Sequence, residues 1–275
     1  MSAVLQSPAP PYEELGKEKV RELACKPKYW GWVEVDGNLM YEGGNDDMIV
    51  LRFLNGHTYE PTTRKLWKKC CSTAQVAVDV GTHSGIFTLD AYRAGTKLVM
   101  SIEPHPINYS RLVLNLRRND FRADGAWLGA AGKTDAVQMM LVKEIRLVHA
   151  AGRVGLHNKN GIEIPVRVAR MDSVIPKNQW KDIGVMKIDA ENLTPDAIEG
   201  MPGILEHRPD LIIECTESGM GERLKGLGYK FWRIWEGGDI DPVDDLTPHN
   251  PDNNYNGTHE NCRNRFASVK GLPYG

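Results

Sequence analysis

The stretch VAVDVGTHSGIFTL, Val76 to Leu89, reads as a short buried strand, a glycine turn and the start of a helix. Such a turn usually faces a nucleotide. A dinucleotide loop needs glycine at Gly81, then two and five positions on. Those two positions hold His83 and Ile86, and a pyrophosphate requires close backbone approach where His83 stands. The spacing that survives is Asp79, Gly81 and Gly85, an acid-x-Gly-x-x-x-Gly pattern. That pattern suits S-adenosylmethionine (SAM), which has no phosphates and presents an amino acid and a ribose to the loop. Asp79 is placed to act on the ligand's ammonium, directly or through water. The His83 side chain is placed to pack beside the methionine end or to cap the following helix, with catalysis a minor reading.

The next strand, KLVMSIE, ends at Glu103, at the interval where a carboxylate accepts ribose hydroxyl protons. Further along, Pro106 opens a helix with Tyr109, Leu112, Val113 and Leu116 on one face and Arg117 and Arg118 in its last turn. AWLGAAG (126–132) reads as another strand, and 136–170 as a β excursion with a turn at NKNG. The alternation resumes with IGVMKIDA (strand), TPDAIEGMPGILEH (one helix), DLIIECTE (strand), GERLKGLG (helix) and YKFWRIW (strand, with Trp232 and Trp235 in the core). A polar loop covers about 237–262, and RFASVKG closes the chain as a strand. Repeated βα units predict an α/β fold with a mostly parallel sheet and helices on both faces. Ligands then bind beyond the carboxyl ends of the strands, where strand order reverses.

Upstream, GWVEVDGNLMYEGG reads as a hairpin turning at Asp36-Gly37. YEPTTRKLWKKCC has a helical period with Thr63, Leu66, Trp67 and Cys70 on one face. Its Arg64, Lys65, Lys68 and Lys69 read as a solvated face, with a phosphate patch as the lesser alternative.

The chain has 275 residues, 41% hydrophobic and 25% charged, as in an ordinary globular protein. A formal net charge of −2 argues against a nucleic-acid partner or an acidic membrane surface. No apolar run approaches the ~20 residues of a membrane span. The first residues lack the basic start and apolar core of a signal peptide and read as a disordered lead-in. Five cysteines without a CxxC pair point to a reducing, cytoplasmic setting and away from a zinc site. The Asn192 and Asn256 glycosylation patterns carry little meaning without a secretion signal.

Taken in order, Tyr59-Glu60-Pro61, VDVGTHSGIFTL, EPHPINYSRLVLNLRRN (Glu103–Asn119), Asp172, VMKIDAEN (Val185–Asn192) and DLIIE ending at Glu214 resemble the FkbM family of SAM-dependent methyltransferases. The resemblance covers about residues 47–268, leaving 1–46 as an N-terminal extension carrying the hairpin. It implies a class I, Rossmann-like methyltransferase with a seven-stranded sheet. The implied activity is O-methylation of a hydroxyl on a sugar, glycan or small metabolite. Tyr59, Glu60, Pro104, Asn108 and Ala131 join Asp79, Gly81, His83, Ser84, Gly85 and Glu103 as cofactor-binding candidates. Two departures stand out: the family's usual Gly-Ala-Asn-x-Gly is Gly81-Thr82-His83-Ser84-Gly85 here, and its KIDVEGxE has Asn192 and Thr194 in place of the glycine and the last glutamate. Thr194-Pro195-Asp196 reads instead as a helix start, with Thr194 as N-cap.

Methyl transfer needs an aligned acceptor and a destination for the hydroxyl proton. Asp189 is the first candidate base, with Lys187, Glu191 and Glu214 beside it. A competing reading makes Lys187, Asp189 and Glu191 a structural ion-pair network. A divalent metal such as Mg²⁺ on Asp189 and Glu214 is the lesser mechanism. His83 is a minor candidate base. His249, Asn254, Tyr255 and His259 suit hydrogen bonding to a polyhydroxyl acceptor. An RNA ribose methyltransferase, a NAD-dependent oxidoreductase and a non-catalytic SAM-binding protein are the alternatives. The charge balance weighs against the first and the glycine positions against the second. The departures at Asn192 and Thr194 keep the third open.

Overall fold

The computed structural model describes residues 22, 26–142, 153–154, 162–215, 219–247 and 262–274. Strands β1 (Trp30–Val35) and β2 (Asn38–Gly43) form the expected antiparallel hairpin. Asp36 and Gly37 turn it with φ of 48° and 83°, the two positive angles a type I′ turn requires. Helix α1 (Met48–Leu54) is capped by Asp47, whose Oδ1 accepts from the N–H groups of Ile49 and Val50. Helix α2 (Pro61–Cys71) leads into β3 (Val76–Val80), α3 (Ile86–Arg93), β4 (Leu98–Glu103), α4 (Pro106–Arg118) and β5 (Ala126–Leu128).

A second sheet follows: β6 (Ala130–Ala131), β7 (Ala136–Val142), β8 (Arg153–Val154) and β9 (Ile162–Ala169), in the order β6-β9-β7-β8. The short helix α5 (Met171–Val174) returns the chain to the main sheet at β10 (Ile183–Ile188). Then come α6 (Thr194–Glu199), α7 (Pro202–Glu206), β11 (Asp210–Glu214), α8 (Gly221–Gly226), β12 (Lys230–Ile234), β13 (Ile240–Val243) and β14 (Asn264–Ser268).

The main sheet has the order β13-β12-β14-β11-β10-β3-β4-β5. Strands β5, β4, β3, β10 and β11 pair in parallel; β14 is antiparallel to both neighbours, so β12 runs with the parallel set. Strand order reverses between β3 and β10, which makes their carboxyl ends the switch point. Side chains alternate across the sheet. Val78, Met186 and Leu211 enter one buried cluster, and Ala77, Val185 and Ile212 the other. Burial on both faces is what a parallel sheet with two helical layers demands.

Several elements differ from the sequence expectation. The sheet has eight strands rather than seven, because β13 adds an antiparallel edge from a segment that reads as loop. AWLGAAG does not make one strand: β5 stays in the main sheet and β6 joins the second. The helix expected over 194–207 breaks at Gly200-Met201, ahead of Pro202, whose ring starts α7. Arg64 is not solvated. It is 2% exposed, and its Nε and Nη2 reach the Asp90 carboxylate at 2.7 and 3.1 Å. Lys65, Lys68 and Lys69 do lie at the surface end of α2, where with Arg93 and Tyr274 they line a shallow cavity of about 430 Å³. The NKNG turn lies outside the described residues.

The hairpin is built into the main core. Val33, Val35 and Met40 pack in one cluster with Leu66, Ile86 and Leu112. Asn115 of α4 and Asn119 at its C-cap accept from the backbone N–H groups of Tyr41 and Leu39, respectively. Among the described residues no helix is long and apolar enough to cross a membrane.

The buried Arg64–Asp90 pair ties α2 to α3. Removing one partner strands the other charge, so Arg64→Met should cost about 3–5 kcal/mol. Thermal unfolding checks this; a melting temperature unchanged from wild type would contradict it.

Candidate active site

The turn after β3 folds around one close approach. A Cβ on Gly81 would lie 1.7 Å from the carbonyl oxygen of Asp189, and φ at Gly81 is +77°. Only glycine lets the turn pass the end of β10, where the Asp189 N–H donates to the Val80 carbonyl at 2.9 Å. His83 also has positive φ, 53°. That explains why glycine or asparagine is common there, since few other side chains adopt left-handed backbone readily. Gly85, φ +99°, stands at the N-cap of α3.

Four amides of this turn are already engaged. Gly81 and Thr82 N–H groups donate to the Ile102 carbonyl, Gly85 N–H to the Thr82 carbonyl, and His83 N–H to Glu103 Oε2 at 2.8 Å. A phosphate cradle needs such N–H groups unspent. The turn is therefore a wall for a ligand without phosphates.

Asp79 is fully buried. Its Oδ2 accepts from the hydroxyls of Thr82 and Thr88, both at 2.7 Å. These bonds make it an organiser of the turn, while its Oδ1, also buried, has no partner among the described residues. Ser84 is also fully buried: its Oγ pairs with His83 Nδ1 and its carbonyl accepts from Asn115. Ala131, 1% exposed, is part of the main core.

Glu103 clasps two turns together. Oε2 takes His83 N–H from the β3–α3 turn, and Oε1 takes His105 N–H from the β4–α4 turn at 2.9 Å. Asn108 Nδ2 adds a bond to Oε1 at 3.3 Å. By lone-pair count Oε2 retains one acceptor position for a ribose hydroxyl, and the buried Asn108 Oδ1 has no protein partner. Burial pushes the Glu103 carboxyl up, while the His83 ring and these donors pull it back. Pro104 follows, half-buried, at the same rim.

At the switch point stands a cluster of charges. Lys187 is 2% exposed, with Nζ 2.6 Å from Asp189 Oδ2 and 4.4 Å from the centre of the Phe87 ring. Burial opposes its charge, but Asp189, Glu60 and Asp79 together hold its pKa above the ordinary lysine value. Asp189 keeps 21% of its side chain exposed. Burial works to raise it, yet Lys187 holds it below the ordinary carboxylate value. Glu214 has the opposite fate: burial and the charges of Asp189 and Glu191 push it well above that value. Arg263 lies 3.8 Å from Glu214 Oε1. The two neighbouring carboxyls are thus pulled in opposite directions. Burial likewise raises the Tyr59 phenol and the Glu60 carboxyl.

Beyond Asp189 the chain turns through Glu191, φ 52°, so the left-handed residue is Glu191 and not Asn192. Thr194 is not the N-cap; it is already helical, and its Oγ1 accepts from Ala190 N–H at 3.2 Å, bracing this turn. His249, Asn254, Tyr255 and His259 lie outside the described residues. Among the described residues no group of three or more His, Cys, Asp or Glu side chains is arranged to hold a metal ion. The residue that sequence reasoning missed is Glu236, 7% exposed and bonded across the chain to α2. No local pattern marks it.

The model of the methyltransferase FkbM domain matches residues 79–235, more than half of the chain. The chain belongs to the FkbM methyltransferase family. SAM is its cofactor, and the phosphate-free turn and the Glu103 clasp fit that ligand. No curated protein sequence matches this methyltransferase. It is similar to a SAM-dependent methyltransferase from Agrobacterium tumefaciens, at 9% identity and TM-score 0.45, over 94% of this chain and 72% of that one. It is also similar to TYW2 of M. jannaschii, solved with AdoMet, at 12% identity and TM-score 0.41, over 87% and 84%. A third likeness is precorrin-6y C5,15-methyltransferase of Geobacter metallireducens, at 11% and 0.38, over 74% and 86%. At these scores the likenesses carry no inference about chemistry.

The cap of α4 is sensitive to acid. His105 Nδ1 accepts from the N–H groups of Ile107 and Asn108 at 3.2 and 3.5 Å, which requires an unprotonated nitrogen. Burial, then the His83 charge, holds His105 below the usual imidazole value. A depressed imidazole stabilises the fold above its unfolded pKa of about 6.5, and that contribution is lost as pH falls through the folded value. Melting temperature should therefore drop on acidification below about 6.5, and more shallowly in His105→Asn, which caps at any pH. Parallel acid limbs in the two proteins would contradict this.

Proposed function

We propose that this methyltransferase is an O-methyltransferase acting on a hydroxyl of a sugar, glycan or small hydroxylated metabolite. The observation that carries the reading is the Lys187–Asp189 pair at the carboxyl end of β10, against the Gly81 turn. When bound, SAM supplies an electrophilic methyl group on a sulfonium.

The protein's own residues do the rest. An acceptor hydroxyl that donates its hydrogen bond to Asp189 has a lone pair left to aim at the methyl. Orientation of this kind contributes several kcal/mol, up to about 7–11 in favourable cases. As the new bond forms, the hydroxyl becomes far more acidic than any carboxylic acid, so even a carboxylate held below its ordinary value takes the proton. An acceptor ammonium is different: it must lose its proton before it can attack, and Asp189 is too weak a base for that. This asymmetry favours oxygen over nitrogen as the acceptor. Glu214, whose carboxyl is pushed up, is suited when protonated to donate its O–H to a second acceptor oxygen. Lys187 holds the charge and rotamer of Asp189. Tyr59, Glu60 and the turn at His83 face the cofactor, and Glu103 with Asn108 receives the ribose. His249, Asn254, Tyr255 and His259, outside the described residues, remain acceptor-binding candidates, in a cytoplasmic setting with a glycan or small-molecule partner.

Formation of S-adenosylhomocysteine with a panel of polyhydroxyl, amine and nucleic-acid acceptors tests the reading. Turnover is expected with a hydroxyl acceptor; turnover confined to amines would overturn it. Asp189→Asn should lower kcat by about 10²–10⁴-fold while leaving SAM affinity within about threefold. Because that change strands Lys187, the double variant Asp189→Asn/Lys187→Met should regain stability and stay inactive. Activity restored along with stability would make the pair structural only.

A further inference from the structure

Helix α2 begins at Pro61, so Glu60 occupies its N-cap position. An N-cap side chain ordinarily accepts from the N–H of the second or third helical residue. Glu60 makes no such bond. Its backbone is left-handed, φ 41° and ψ 56°, an uncommon conformation for a residue with a side chain. Its carboxylate is turned towards the start of β14, where Oε2 accepts from Asn264 Nδ2 at 3.1 Å. There the Glu60 carboxylate feels the charges of Lys187, Asp189 and Arg263.

The helix end that Glu60 leaves uncovered is covered by Glu236. Glu236 Oε2 accepts from Thr62 N–H at 2.9 Å and Thr63 N–H at 3.3 Å, and Thr63 Oγ1 donates to Oε1. In return Thr62 Oγ1 accepts from Gly237 N–H at 3.0 Å. Asn264 Nδ2 also reaches Thr63 Oγ1 at 3.2 Å, which joins the two carboxylates through one bonded chain. Burial and the Glu60 charge push Glu236 up to about 7, a sign of how near the two acids stand. Glu60 and Glu236 both fall outside the span matched by the family model.

We propose that Glu236 is a positioning residue for the cofactor site. By capping α2 from a distant part of the chain, it holds Glu60 in its left-handed conformation. That conformation keeps the Glu60 carboxylate at the catalytic edge, where it receives the ammonium of the cofactor's amino-acid end. The inference rests on the proposed cofactor-facing role of Glu60.

A double-mutant cycle read by calorimetry tests it. S-adenosylhomocysteine is the probe, since it carries the same ammonium and undergoes no turnover. Glu60→Gln and Glu236→Ala should each weaken binding about tenfold, and the double variant no more than Glu60→Gln alone, because coupled residues are not additive. Glu236→Gln, whose amide oxygen still accepts from the Thr62 and Thr63 N–H groups, should retain most of the affinity. Losses that multiply to about 100-fold, or a Glu236→Ala variant with lower melting temperature and unchanged affinity, overturn the proposal. Unchanged affinity in Glu60→Gln overturns the Glu60 reading itself and the proposal with it. If Glu236→Ala does not fold, Glu236→Asp, which keeps the charge and shortens the reach, takes its place with the same two outcomes.

Discussion

A lysine ammonium buried at the centre of the sheet organises the proposed catalytic edge. Lys187 sits in β10 in register with Asp79 of β3, at the point where strand order reverses. A charge that is 2% exposed must be matched by nearby opposite charge, or the fold loses several kcal/mol. Asp189, Glu60 and Asp79 supply that match. Each then has its own place: Asp189, partly exposed, is held below its ordinary value by Lys187, Asp79 folds the glycine turn from beneath, and Glu60 reaches the start of β14. Glu214, next in the sheet, has only the more distant Arg263 opposite it, and burial with the charges of Asp189 and Glu191 pushes its carboxyl up.

The same geometry explains why the turn is fitted to SAM. The bare Cα of Gly81 passes against the Asp189 carbonyl, so the cofactor wall and the proposed methyl-accepting edge are one rigid junction. Glu103 extends that junction to a second turn by accepting both the His83 and the His105 N–H. The carboxylate expected to receive the ribose therefore also sets the shape of the pocket. Preorganisation of this kind removes the cost of ordering the loops on binding.

Much of this was legible in the sequence because its signals are local. The strand-turn-helix at Val76–Leu89, the acid at Glu103 and the hairpin turn at Asp36-Gly37 each depend on residues within a few positions. What escaped depends on partners far along the chain. Arg64 looks like one of four basic residues on a wet helix face until Asp90 is brought beneath it. Glu236 looks like a loop acid until β12 delivers it to the start of α2. Thr194 carries the marks of an N-cap, yet the preceding turn already places it inside the helix and gives its hydroxyl to Ala190. The break at Gly200-Met201 has a local signal in Pro202, whose ring cannot continue a helix from the preceding turn.

The crystal structure of the complex with S-adenosylhomocysteine is the most direct test of the account. It should show a ribose hydroxyl within about 2.6–3.2 Å of Glu103 Oε2 and the sulfur facing Asp189 across the Gly81 turn. A ligand whose ribose lies away from Glu103, or whose sulfur points away from Asp189, would contradict it.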